Sequence, residues 1–222
     1  GHPIPGNYLA MVYKGGYIFP LLITLVLVLL TFTIERAFTL RKAKGTGAVN
    51  TFVSNLQGYL NNNQLDQAIA ACDKQKGSIG NVMKAGLIKY KELQSDKTLD
   101  KDQKLLSLQK EFEEATALEL PMMSRNLVIL STIASISVLI GLIGTVLGMI
   151  RAFAALAQAG APDALALATG ISEALINTAY CITVSTLAII FYNYFSKNID
   201  GMTYKIDEAG FSLTQTFAAQ NK

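Results

Sequence analysis

Two long stretches of this chain carry no charge, Asn126 to Ile150 and Ala174 to Ser196, and they meet across one short connection. Each exceeds the roughly 20 residues that an α-helix needs to cross a bilayer core of about 30 Å. A third uncharged run, Gly15 to Ile34, is just long enough. These lengths predict an all-α integral membrane protein with three transmembrane helices and long cytoplasmic helical extensions.

Composition agrees only if the chain is divided. Of its 222 residues, 51% are hydrophobic and 16% charged, too apolar for an ordinary soluble domain and too charged for burial wholly in lipid. The charges fall almost entirely between Glu35 and Arg125 and after Lys197. A formal charge of +3, spread without a compact basic block, argues against nucleic-acid binding. His2 is the only histidine, so neither a histidine metal site nor a Ser/His or Cys/His pair has a base inside the chain. Cys72 and Cys181 fall in different compartments of the expected layout, which disfavours a disulfide. No cofactor, phosphate loop or catalytic constellation is expected, and an enzyme is disfavoured.

Orientation follows from the basic residues, because Lys and Arg in short flanks stay on the cytoplasmic side. Arg36, Arg41, Lys42 and Lys44 follow the first span, Arg125 precedes the second, and Lys197 and Lys205 follow the third, against only Lys14 and Arg151 on the other side. The expected order is then an outer, periplasmic amino-terminal segment (1–16), a first span (17–35) and a cytoplasmic helical domain (36–125). A second span (126–150), a periplasmic connection (151–172), a third span (173–196) and a cytoplasmic tail (197–222) complete it. Arg41, Lys42, Lys44 and Arg125 read as solvated flanks near anionic membrane lipids. The first span reads as an anchor rather than a cleaved signal, since no small-residue cleavage motif precedes Glu35. Asn7 to Tyr13 suggests a short helix at the outer interface, closed by Gly15 and Gly16.

Between the first two spans, apolar residues recur at helical spacing: Val49, Phe52, Val53, Leu56, Leu60; Leu65, Ala68, Ile69, Cys72; Val82, Ala85, Leu87, Ile88; and Leu105, Leu108, Phe112, Ala115, Leu118. Asn61 to Asn63 mark a turn, and Gly77 with Gly80 separates the next pair. The last of these helices is expected to run on into the second span, with Pro121 as the one place for a kink. Gly160 and Pro162 form the turn of the outer connection, and the tail, with Ile199, Met202, Ile206, Phe211 and Leu213, extends the third helix.

On the second span Ala134, Ser137, Gly141, Thr145 and Gly148 share one helical face. Gly144 and Gly148 form the small-xxx-small spacing that lets membrane helices approach closely. That stripe reads either as helix packing or as the lining of a pore. The third span repeats it with Thr178, Cys181 and Ser185, and Glu173 stands at its outer end. An ionisable group at membrane depth normally faces a bundle interior or water, but a carboxylate at a helix start is also held by the macrodipole. Neither run contains Asp, Glu, Lys, Arg or His. Hydroxyls accept and donate hydrogen bonds without titrating near neutral pH, so protons crossing here would need a carboxylate from another polypeptide.

Gly141 to Met149, reading GLIGTVLGM, and Gly170 to Tyr180, reading GISEALINTAY, resemble the two signature segments of the MotA/TolQ/ExbB proton-channel family. The three-span layout and the IERAFTLRKA exit from the first span are nearest to its ExbB members. The resemblance implies a ring-forming homo-oligomer, a pentamer, whose second and third helices line a pore. That pore would be occupied by an ExbD-like single-span protein dimer bearing the protonatable Asp. It also implies that Thr145 and Thr178 face the pore, with Glu173 at the entrance, and on the pore reading the small-residue stripes add Ser137, Gly141 and Ser185 to the lining. Such a subunit sits in the bacterial inner membrane and uses the proton motive force to energise a TonB-like protein and outer-membrane transport. Ser137 and Cys181 depart from the family pattern, where a proline and a glycine are usual. A TolQ-like or gliding-type motor subunit shares the same motifs, and a non-conducting scaffold would use the stripes for packing alone. Three spans without inverted repeats disfavour a secondary transporter.

Overall fold

The computed structural model describes residues 18–96, 98–158 and 164–220. Every regular element among them is helical: α1 (Phe19–Ala43), α2 (Val49–Asn61), α3 (Leu65–Gln75), α4 (Gly77–Ser95), α5 (Lys101–Ser124), α6 (Leu127–Gln158) and α7 (Ala164–Gln220). Three of these, α1, α6 and α7, are long and apolar enough to cross a membrane. The expected interfacial helix at Asn7 to Tyr13, together with His2, Lys14, Gly15, Gly16, Gly160 and Pro162, lies outside the described residues.

The chain divides into two compact units: the described parts of Gly1–Glu35 with Asn126–Tyr194, and of Arg36–Arg125 with Phe195–Lys222. In the first, Pro20 sits at the second residue of α1, where its missing N–H would have had no helical partner in any case. The hydroxyls of Thr24 and Thr31 donate back to the carbonyls of Pro20 and Leu27, at 3.0 and 2.7 Å, which satisfies them where water is absent. Leu21, Ile23, Leu27, Leu30 and Ile34 are exposed on this helix, as a lipid-facing surface should be. Phe19 packs on Tyr180 of α7 with ring centroids 6.0 Å apart.

The second unit buries large side chains as a water-soluble domain does. Leu56, Leu60, Ile79, Met83, Leu87, Tyr90, Leu108 and Phe217 are almost wholly enclosed. Tyr90 and Phe217 meet edge to face at 4.6 Å, the geometry that aromatic quadrupoles prefer. The Phe112 ring lies against Gly86 of α4, where a side chain would collide with it, and against Gly210 of α7, where one would be a tight fit. An N-terminal capping box, Asp100 with Gln103, starts α5.

Several expectations are corrected. The helix before the second span does not run through: it stops at Ser124, and α6 begins at Leu127. Pro121 stays inside α5, while the break falls at Arg125 and at Asn126, which has φ +63°. Asn tolerates the left-handed region better than most residues, so it terminates the helix where proline does not. Gly77, with φ +72°, marks the break between α3 and α4 as expected, but Gly80 lies within α4. Leu118, at 76% exposure, is on the outside, against the helical pattern that grouped it with the apolar face, while the tail extends the third helix as expected. Arg36, counted among the basic residues after the first span, is 1% exposed, and its guanidinium donates to the Met123 carbonyl at 3.1 Å, in the last turn of α5. Most of the alanine-rich stretch 151–172 is helix, shared between α6 and α7, in keeping with alanine's high propensity.

Candidate functional site

Small side chains bring α6 and α7 together. A methyl group on Gly141 would lie 2.6 Å from the Cys181 Cβ, and one on Gly148 would lie 2.9 Å from the Ala174 Cβ. Both are far inside van der Waals contact, so the observed helix separation requires glycine at these positions. Gly144 is less tight, with its would-be Cβ 3.3 Å from Asn177. Ala188 and Val184 complete the buried face of α7.

Hydroxyls along this seam are bound to backbone carbonyls. Ser137 is fully buried and donates within its own helix to Ile133 at 2.6 Å. Ser185, also buried, donates across the seam to the Ala134 carbonyl at 2.6 Å. In the single chain Gly141 and Ser185 are thus spent on the contact between α6 and α7, together with Gly144 and Gly148, while the Ser137 hydroxyl is taken up within α6.

Thr145 and Thr178 differ. Both are half-buried, and their hydroxyls are hydrogen-bonded to each other. Thr145 also donates to the Gly141 carbonyl at 3.0 Å, and Thr178 approaches the Gly141 and Ala174 carbonyls at 3.3 and 3.2 Å. Two hydroxyls and a shared carbonyl form a compact polar cluster that keeps one edge open. It can accept from, or donate to, a group brought alongside, and it contains nothing that titrates near neutrality.

Glu173 lies one helical turn or so beyond Thr178 on α7, and its carboxylate pairs with the Arg151 guanidinium of α6 at 3.5 Å. The glutamate side chain is 19% exposed and the arginine 50%. Sequence reasoning had Arg151 only as a minority charge on the outer side. The signal available was that Arg151 and Glu173 are the charged residues flanking the two uncharged runs at the ends joined by the connection. Among the described residues no group of His, Cys, Asp and Glu could hold a metal ion.

The biopolymer transport protein ExbB-like 3 of Synechocystis sp. is 39% identical over 85 residues, 37% of this chain and 40% of that protein. ExbB of Pseudomonas putida is 33% identical over 87 residues, 39% of this chain and 26% of its own length. The Tol-Pal system protein TolQ of Pseudomonas aeruginosa is 27% identical over 162 residues, covering 73% of this chain and 69% of that protein. The match therefore spans less than half the length of the first two relatives. The family model for MotA/TolQ/ExbB proton channels matches residues 74–208, more than half of the sequence and including both α6 and the hydroxyl cluster. The chain belongs to the MotA/TolQ/ExbB proton channel family.

Proposed function

We propose that this chain is the pore-forming subunit of a motor driven by the proton motive force, in the manner of ExbB. The observation that carries the reading is the Thr145–Thr178 hydroxyl pair, which is half-open between two helices that lack any Asp, Glu, Lys, Arg or His from Asn126 to Ile150 and from Ala174 to Ser196. Such a cluster can orient water or a carboxylate but cannot carry a proton through a cycle of binding and release. The missing acid comes from a partner, an ExbD-like single-span protein whose dimer occupies the cavity of a homopentameric ring. Glu173, with Arg151, stands at the entrance on the periplasmic side, and Thr145 with Thr178 marks the depth at which the partner carboxylate passes.

The remaining assignments follow from the basic flanks. The amino terminus faces the periplasm and the carboxy terminus the cytoplasm of a bacterial inner membrane. The membrane potential supplies about 2.3 kcal/mol per charge for each 100 mV, so several protons can drive a mechanical step that a TonB-like protein transmits to outer-membrane transporters. A TolQ-like role remains a second reading because TolQ of Pseudomonas aeruginosa aligns over most of this chain.

The test is reconstitution of the purified chain in vesicles with and without the single-span protein that co-purifies with it. Proton flux is expected only with the partner present, and it should vanish when the partner's membrane carboxylate is replaced by its amide. Flux from this chain alone would defeat the reading. The identity of the periplasmic protein captured with the complex separates the ExbB-like from the TolQ-like role.

A further inference from the structure

The second unit contains a cavity of about 730 Å³ that the proton pathway does not use. Its walls come from the end of α1 and the turn after it (Phe38, Arg41, Lys42), from the start of α4 (Lys76, Asn81) and from the end of α5 (Glu119, Met122). The size lies within the range of small-molecule sites, roughly 300–1,000 Å³.

The frame is preformed. Gly45 and Gly77 both have positive φ, +74° and +72°. A side chain on Gly45 would strike the Lys76 carbonyl, and one on Gly77 the Ala43 carbonyl. The two turns therefore interlock through their backbones, pinned by the Thr46 N–H to the Gln75 carbonyl at 2.8 Å and the Thr46 hydroxyl to the Lys74 carbonyl at 2.8 Å.

Charge and apolar surface are both displayed on this frame. Arg41, Lys42 and Lys76 are exposed, and among the described residues none of them takes part in a salt bridge. The one acid, Glu119, accepts from the Asn81 amide at 2.8 Å. Beside the cations, Phe38 is 69% and Met122 64% exposed, an apolar surface that a small soluble anion would leave uncovered. Phe38 follows Ile34, the last residue of the uncharged run, by four positions on one helix. At 1.5 Å per residue this is about 6 Å, within the headgroup layer of roughly 5–8 Å outside the hydrocarbon core.

We propose that this cavity binds the headgroup of an anionic phospholipid, the phosphate lying against Arg41, Lys42 and Lys76 and the root of the acyl chains against Phe38 and Met122. Lipid seated here would hold the α1 exit and the end of α5 at the membrane surface. The inference requires α1 to cross the membrane and is independent of proton conduction. It also divides the basic flank: Arg41 and Lys42 line the cavity and Lys76 joins them, while Lys44 and Arg125 do not.

The test uses the purified full chain in neutral detergent, titrated with dioleoylphosphatidylglycerol, dioleoylphosphatidylcholine and sodium phosphate, with bound lipid counted by native mass spectrometry. The phosphatidylglycerol should bind about tenfold or more tightly than the phosphatidylcholine, and the combined Arg41→Gln, Lys42→Gln, Lys76→Gln variant should lose that preference. The single change Lys76→Glu should weaken phosphatidylglycerol severalfold, providing a milder variant should the triple one fold poorly. Lys44→Gln with Arg125→Gln should stay within twofold of the parent. Equal loss in the triple and the double variants would overturn the site in favour of diffuse surface charge. Displacement of the lipid by millimolar phosphate would overturn it in favour of a free anion, and equal affinity for the two lipids would overturn it outright.

Discussion

In the α6–α7 seam the residues that meet across it are Ala134, Gly141, Gly148, Ala174, Cys181 and Ser185, while Leu142, Ile143, Val146 and Ile150 are exposed. The second unit has the reverse arrangement, with Leu56, Met83, Leu87, Tyr90 and Phe217 inside and Lys and Glu outside. Water explains the difference. Burying large apolar side chains stabilises a domain in proportion to the area withdrawn from water. Among lipid tails that gain disappears, so close backbone approach and backbone-bound hydroxyls hold the helices instead.

The largest effect expected from this contrast is chemical. Burial, with a lesser contribution from the neighbouring Asp73 carboxylate, pushes the Cys72 thiol up to about 12 from an ordinary value of 9.0. Three pKa units mean roughly a thousandfold less thiolate at pH 8 than in a free thiol, so alkylation by iodoacetamide should be negligible until the unit unfolds. Because the folded value is raised, the stability contributed by the neutral thiol is complete below pH 9 and is lost as the pH rises toward 12. Rapid labelling of native protein at pH 8 would mean that the core is not closed.

Leu87→Ala should come next, costing about 2–5 kcal/mol through lost burial and the cavity left behind. Hydrogen exchange of α4 and the denaturant midpoint of the second unit report it. Gly141→Leu tests the membrane seam by overpacking, with a cost of roughly 1–3 kcal/mol and a lower melting temperature in detergent. The smallest effect belongs to Ser185→Ala. Hydrogen bonds between membrane helices average about 0.6 kcal/mol, so its melting curve should nearly overlay that of the parent. A cost as large as that of Leu87→Ala would erase the proposed distinction between the two units.

Periodicity alone locates α2 and α3 to within a few residues, because amphipathic spacing and burial are one physical fact in water, and it marks only the middle of α4. Uncharged length finds the apolar stretches of the spanning helices but not their ends, since α7 runs from Ala164 to Gln220 around the uncharged run Ala174 to Ser196. Other features were not legible locally. Arg36 looks like any basic flank until the end of α5 is brought beside it, where its guanidinium meets an unpaired last-turn carbonyl. Pro121 marks the one expected kink in a continuous helix, yet the helix breaks instead at Asn126, whose positive φ depends on the chain on both sides. The spacing of Ser137 and Ser185 fits packing and lining equally well, and only the structure shows that their hydroxyls are already bound, Ser137 to its own helix and Ser185 to the facing one. The Arg151–Glu173 pair and the interlocked turns at Gly45 and Gly77 join residues far apart in sequence, which no periodic pattern records.

Thr145 and Thr178 are the hydroxyls of the seam whose cluster stays partly open, and the motor reading stands on them. The most direct measurement is proton flux in vesicles holding the chain with its single-span partner, comparing the parent with the Thr145→Val, Thr178→Val double variant. Valine keeps the shape and removes the hydroxyls, so assembly with the partner should be unchanged while flux falls at least about tenfold, the size of effect expected when hydrogen-bonding groups on a reaction path are lost. Undiminished flux with both hydroxyls gone would contradict the assignment of this cluster to the proton path.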